Sequence, residues 1–307
     1  MISLVATVRG PRADLDRFIA YHFNTGVCHI YLFFDDPDDP AVDAFCGLEQ
    51  LTSVACTPKH WRDAGLTASD GIEARQLHNA NLAMAWARAR GAQWLLHVDS
   101  DELIATPGDD IAAWLARRPA EVDAVVFPAL EAIPRASGSR HPFESCRLFK
   151  VRPSDPKRLE LANRMGCRQA LRYGYFRGHM AGKSATRVTS EIRSVGIHVP
   201  DGGAGGLRLE TAQDAYLLHY DGCTFEAWRR KWAGRKDGTA IALNMRPDRR
   251  RQFDDFLTAD QLGSLAVLEH EFRRQCLIPL HEQATLWALG LARFWRLRDD
   301  LFGYRLR

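Results

Sequence analysis

The stretch whose reading decides the fold is Trp94-Leu95-Leu96-His97-Val98-Asp99-Ser100-Asp101-Glu102-Leu103. A short apolar run, the signature of a buried strand, delivers a cluster of carboxylates onto the turn beyond it. Asp99 and Asp101 are spaced i, i+2, which puts them on one face of an extended segment. At a strand end the turn can converge both on one hard cation. Mg2+ and Mn2+ take oxygen ligands of this kind, with one or two protein carboxylates and the oxygens of a phosphate. A solvated acidic turn or the start of a helix, where carboxylates favour the dipole, would use the same residues.

Upstream, the chain alternates apolar strand runs with helical periodicity. Residues 2–8 and 27–34 read as buried strands, and 53–57 as a shorter one. Residues 12–25 carry Leu15, Phe18, Ile19 and Phe23 near a 3.6 period, 41–51 suit a second helix, and the Ala-rich 70–90 a long one. The second strand stops at Asp35-Asp36-Pro37, a second acidic strand end. Strands alternating with helices predict an α/β fold, with a mostly parallel central sheet flanked by helices. Ligands of such sheets bind outside the carboxyl ends of the strands, where both acidic clusters fall.

Downstream the pattern is weaker. A helix is expected at 110–118, strands at 122–130 and 216–220, and loops at 134–145 and 200–206. From Thr224 the chain reads helical to its end. The expected organisation is one domain over 1–235, in two parts over 1–105 and 106–235, and a helical C-terminal extension over 236–307.

Composition bounds the function. The chain has 307 residues, 46% hydrophobic and 26% charged, the balance of a globular protein with a sizeable core. No apolar run approaches the ~20 residues of a membrane span, and the first residues lack the features of a signal peptide. The seven Cys are scattered without a Cys-x-x-Cys pair, which excludes a zinc ribbon and a disulfide framework and suggests a cytoplasmic setting. A net charge of +3, without a clustered basic stripe, argues against nucleic acid as a partner. The tail mixes Trp287, Phe294 and Trp295 with Arg293 and Arg296, the make-up of a C-terminal helix resting at the membrane periphery or packed on the protein.

The motif resembles the Asp-x-Asp element of family 2-like glycosyltransferases of the GT-A fold, in the subgroup with a Trp…Asp-x-Asp-Glu signature. Further pieces follow in the family's order: Val8-Arg9, the segment Phe18 to Val27 with His22 and Gly26, Tyr31 to Asp36, Gln76 to Asn79, and late in the chain Leu218-His219-Tyr220 with Lys231. The resemblance covers about residues 1–235 and is specific over 1–105. It departs at Gly10-Pro11, where the family carries Asn-Glu, so the nucleotide-base pocket is expected to differ.

The resemblance implies a GT-A nucleotide-diphospho-sugar transferase fold and a sugar donor activated by a uridine or guanosine diphosphate. It also implies Mn2+ or Mg2+ on that diphosphate, inversion at the anomeric carbon, and a glycan or lipid-linked acceptor. Asp99 and Asp101 would hold the metal, joined by one of His198 and His219. Thr7, Arg9, Asp35, Asp36, Gln76, Ser100 and Lys183 would meet the nucleotide. An inverting transfer needs a general base for the acceptor hydroxyl, with Glu131, Glu191 and Asp221 as candidates. Two other readings remain open at this level: another metal-dependent nucleotide enzyme, such as a nucleotidyltransferase, and a non-catalytic binding protein of the same fold.

Overall fold

The β-branched and apolar run Ile2–Val8 forms strand β1, buried along almost its whole length. In the computed structural model, which describes residues 1–135, 140–238 and 245–303, the other strands are β2 (His29–Phe34), β3 (Leu51–Ala55), β4 (Trp94–His97), β5 (Glu102–Ala105), β6 (Ala124–Phe127), β7 (Ala129–Ala132), β8 (Leu148–Lys150), β9 (Lys183–Arg187), β10 (Leu209–Thr211), β11 (Tyr216–His219) and β12 (Ala292–Phe294). Seven of them make one sheet in the order β10-β6-β9-β4-β1-β2-β3. Its centre is parallel: β1 pairs with β2 and β4, and β2 with β3. The expected α/β class, with a mostly parallel sheet flanked by helices, is what the chain adopts.

The helix Ile72–Ala89 shows why the sheet is covered as it is. Ala80, Ala83, Met84 and Ala87 recur at 3.6 spacing and are buried. Their small side chains let the helix lie close on the sheet, where they share a core with Val5, Tyr31, Phe33 and Leu95. The helix Arg12–Asn24 likewise turns Leu15, Phe18 and Ile19 inward.

Sequence reasoning missed β9. It enters antiparallel between β4 and β6, pairing with both. Its run Lys-Ser-Ala-Thr-Arg has no apolar pattern, because polar residues are buried along it. Two other expectations are corrected. The helix at 41–51 stops at Ala44, and Gly47 takes a left-handed φ of 81°. The single strand at 122–130 is two strands, broken at Pro128, which has no N–H to donate to a ladder.

The chain also divides differently from the split expected at residue 235. One compact unit holds Met1–Pro128, Ala181–Leu217 and the segment from Arg298; the other holds Ala129–Met180 and Leu218–Leu297. The cause is packing. Ile133, Leu148, Ala162 and Phe176 share one core with Ile278, Leu286 and Leu291, so the C-terminal helices belong with residues 129–180 and form no separate extension. In this second unit β7 pairs antiparallel with β8, and β8 with β12. The tail is not one helix either. The last α-helix, Leu280–Ala288, is followed by the strand β12. Residues 304–307 lie outside the described residues, as do 136–139 of the loop expected at 134–145. Among the described residues no helix is long and apolar enough to cross a membrane.

Candidate functional site

Strand register assembles the site in the first unit. Val5 pairs with His97 and Val8 with Phe34, so β1, β2 and β4 end side by side. Their carboxyl ends present Arg9, Asp35 with Asp36, and Asp99. The turn after β4 is closed on itself: the Asp99 N–H donates to Glu102 Oε2 at 2.8 Å, and the Glu102 N–H donates to the Asp99 carbonyl at 3.0 Å. Glu102 is buried, while Asp99, Ser100 and Asp101 remain half-buried at the turn.

The long helix supplies polar groups from one face, at positions i, i+1 and i+4. Arg75 forms a buried ion pair with Asp35. Gln76 Nε2 donates to Asp99 Oδ1 at 2.7 Å. Asn79 Nδ2 donates to Thr7 Oγ1 at 2.9 Å, and its Oδ1 pairs with His60 Nε2 at 2.9 Å. Arg9, more exposed, reaches Asp35 at 3.6 Å and Asp36 at 3.7 Å.

Strand β9 brings Lys183 to the same turn. Its buried ammonium lies 3.1 Å from Asp99 Oδ2 and 3.8 Å from Glu102 Oε2. Burial alone would lower its pKa; Asp99 and Glu102 outweigh that and raise it, so the lysine stays charged. His97, just before the turn, is pushed down to about 4, first by burial and then by Lys183. His198 Nδ1 bonds the Gly182 carbonyl at 3.0 Å, beside Lys183. A carbonyl only accepts, so in the neutral ring the proton sits on Nδ1 and the lone pair on Nε2, the form a metal ligand takes.

Thr7, Arg9, Asp35, Asp36, Gln76, Asp99, Ser100, Asp101, Lys183 and His198 therefore meet at one end of one sheet. Arg75, Asn79 and Glu102 belong to the same network and were missed. Asn79 stands one helical turn from Arg75 and Gln76, which was the available signal; Glu102 read as the Glu of the Asp-x-Asp-Glu signature, with no role assigned. Arg75→Ala is expected to cost about 2 kcal/mol in urea unfolding, the scale of a lost charged hydrogen bond. The loss is moderated because Arg9 stays near Asp35; an unchanged midpoint would refute the pairing.

The three candidate bases stand in different surroundings. Glu191 is exposed, but it follows β9, whose Arg187 pairs with Trp94 at the opposite end of β4 from the acidic turn. Glu131 and Asp221 lie in the second unit, buried in ion pairs. Glu131 meets Lys150 at 3.2 Å and Arg177 at 3.7 Å, and accepts from the Gly178 N–H at 2.6 Å. Burial raises its pKa, but Lys150, Arg177 and that N–H overcome the effect and hold it at about 2. Asp221 pairs with Lys231 and, at 3.0 Å, with Arg249. Burial again works upward, and Arg249 and Lys231 carry its pKa well below the usual range. His219 sits over Gly178 in the same unit, so close that a Cβ there would lie 2.5 Å from its ring.

No family model matches the chain. It is similar to two glycosyltransferase-like proteins of Arabidopsis thaliana. One is 26% identical over 226 residues, covering 66% of this chain and 49% of the relative. The other is 24% identical over 223 residues, covering 66% and 43%. These relatives support a glycosyltransferase family, and the chain spans about half their length or less. A solved structure named for glucose-1-phosphate thymidylyltransferase, from Bacillus anthracis, aligns over 81% of this chain and 99% of its own, with 11% identity and a TM-score of 0.34.

Proposed function

We propose that this chain is a metal-dependent, inverting glycosyltransferase that moves a sugar from a nucleoside diphosphate sugar to a glycan or lipid-linked acceptor. The observation that carries the reading is the Asp99–Glu102 turn at the carboxyl end of β4, beside the Arg9, Asp35 and Arg75 cluster at the ends of β1 and β2. A nucleotide sugar asks for this combination: polar groups for base and ribose, and carboxylates for the cation that accompanies a diphosphate.

The donor chemistry suits Mn2+ or Mg2+. Asp99 and Asp101 supply hard oxygens, and His198 offers the right tautomer. Asp99 is held from two sides, by Gln76 and Lys183, and Asp101 lies two residues further along the same turn. A bound divalent ion would stabilise the departing diphosphate as a Lewis acid. This chain's own residues do the rest: Asp35 and Asp36 accept from the nucleoside, and Thr7 and Asn79 shape the base pocket where Gly10-Pro11 departs from the family pattern. Lys183 holds Asp99 in place.

The test is thermal stabilisation by uridine and guanosine diphosphates, with and without Mn2+, on the wild type and Asp101→Ala. Ligand at ~100 times its dissociation constant should stabilise by about 2.7 kcal/mol. One diphosphate is expected to act in a Mn2+-dependent way, and Asp101→Ala to lose that dependence. Failure of both diphosphates under every metal condition would remove the donor site.

A further inference from the structure

The helix Leu280–Ala288 buries one side and leaves the other apolar. Glu282 and Leu286 face inward, and the Glu282 carboxylate accepts from the Gln169 and Ala170 N–H groups at 3.2 and 2.7 Å. Those bonds fix the helix on its unit. The outward positions are Leu280, Ala284, Trp287 and Ala288, at i, i+4, i+7 and i+8, with His281 the one polar neighbour at the start of the stripe. Leu280 is 81% exposed and Trp287 57%. Six residues after the helix, Phe294 is 64% exposed at the end of β12. The helix Lys157–Arg164 packs in the same core, tied by Arg158 Nη1 to the Leu289 carbonyl at 3.1 Å, and it adds exposed Leu161, with Met165 following it.

Large apolar side chains are rarely left out in this number on neighbouring elements of one unit. The charges around them have one dominant sign. Arg158, Arg164, Arg168, Arg293 and Arg296 lie on or beside these elements, against exposed Asp155 and Glu160. Trp and Leu with a basic rim is the composition of a protein face that enters the headgroup region of a membrane. A second copy of this chain would set the same basic rim against itself.

We propose that this face docks on a bilayer surface carrying anionic lipid. Trp287, Leu280 and Phe294 enter the interface, and the arginines lie over lipid phosphates. The sequence pointed to a continuous C-terminal helix for this contact. The structure replaces it with a two-turn helix and a strand, so the contact is a surface patch. The inference stands independently of the donor chemistry proposed for the first unit.

The experiment is sedimentation of the whole chain with vesicles of phosphatidylcholine alone or mixed with phosphatidylglycerol. Binding is expected only to the mixed vesicles. It should weaken as salt rises from about 0.1 to about 1 M, where the Debye length falls to about 3 Å. Leu280→Ser with Trp287→Ser should reduce binding about tenfold or more, and Arg293→Gln with Arg296→Gln should remove much of the salt dependence. Because Leu280, Trp287 and Arg296 are exposed and Arg293 is half-buried, the circular dichroism melting curves should stay close to the wild type. Absence of binding to the mixed vesicles, or equal binding by the Ser variant, overturns the proposal. So does concentration-dependent dimerisation in sedimentation velocity that the Ser variant abolishes, since the face would then be a protein interface.

Discussion

Glu131→Gln is expected to destabilise the protein by about 3–5 kcal/mol at neutral pH, the cost of breaking a buried ion pair from one side. The substitution keeps the shape and removes only the charge. Lys150 and Arg177, both buried, then lose the carboxylate that compensates them. Both cations are buried, and their other partners are uncharged: the Lys150 ammonium meets the Tyr175 carbonyl at 2.6 Å, and Arg177 the Asp221 carbonyl at 3.1 Å and the Cys276 sulfur at 2.8 Å. The pH dependence has a definite sign. Glu131 has a folded pKa of about 2 against an ordinary value of 4.5. Its contribution is complete above that ordinary value and is lost as pH falls toward the folded one. The deficit of the variant should therefore shrink between about pH 4.5 and pH 2. Urea unfolding at neutral pH and near the lower end of that window measures both points. A deficit that grows on acidification would show that Glu131 is not the compensating charge.

Lys183→Met should cost a similar amount, about 3–5 kcal/mol, for the mirror-image reason. Here the cation goes, and Asp99 and Glu102 are left facing one another across the space it filled. The wild-type lysine has a raised pKa, so its stabilisation is complete below its ordinary value of 10.5 and is lost only as pH rises past the folded value. Neutral pH is thus the place to read the full effect. A second readout separates a structural role from an electrostatic one. Without the internal ammonium the acidic turn carries one more uncompensated negative charge, so added Mn2+ should stabilise the variant more than the wild type. Equal stabilisation of both proteins by Mn2+ would remove Lys183 from the electrostatics of the turn.

The parts of this protein that were legible in its sequence are those set by neighbours in the chain. The runs Ile2–Val8, His29–Phe34 and Trp94–His97 are apolar enough to be strands wherever they occur. Ala80, Ala83, Met84 and Ala87 repeat at the helical period. The acidic turn follows directly on an apolar run, so its place at a strand end could be read from adjacency alone. Together these determined the α/β class and the end of the sheet where the site lies.

What only the tertiary structure decided depends on partners distant in sequence. Arg75 and Asp35 are 40 residues apart, and nothing local marks either as buried. The same Glu131 that reads as a candidate base after a strand is one half of a buried ion pair once Lys150 and Arg177 are folded against it. Strand β9 has a polar sequence and earns its place by pairing with β4 and β6, not by propensity. Within the tail composed like an interfacial helix, Ala292–Phe294 is a strand because β8 offers it a ladder. A charge or a backbone amide costs free energy to bury until a partner meets it, and only the folded chain determines which partner arrives.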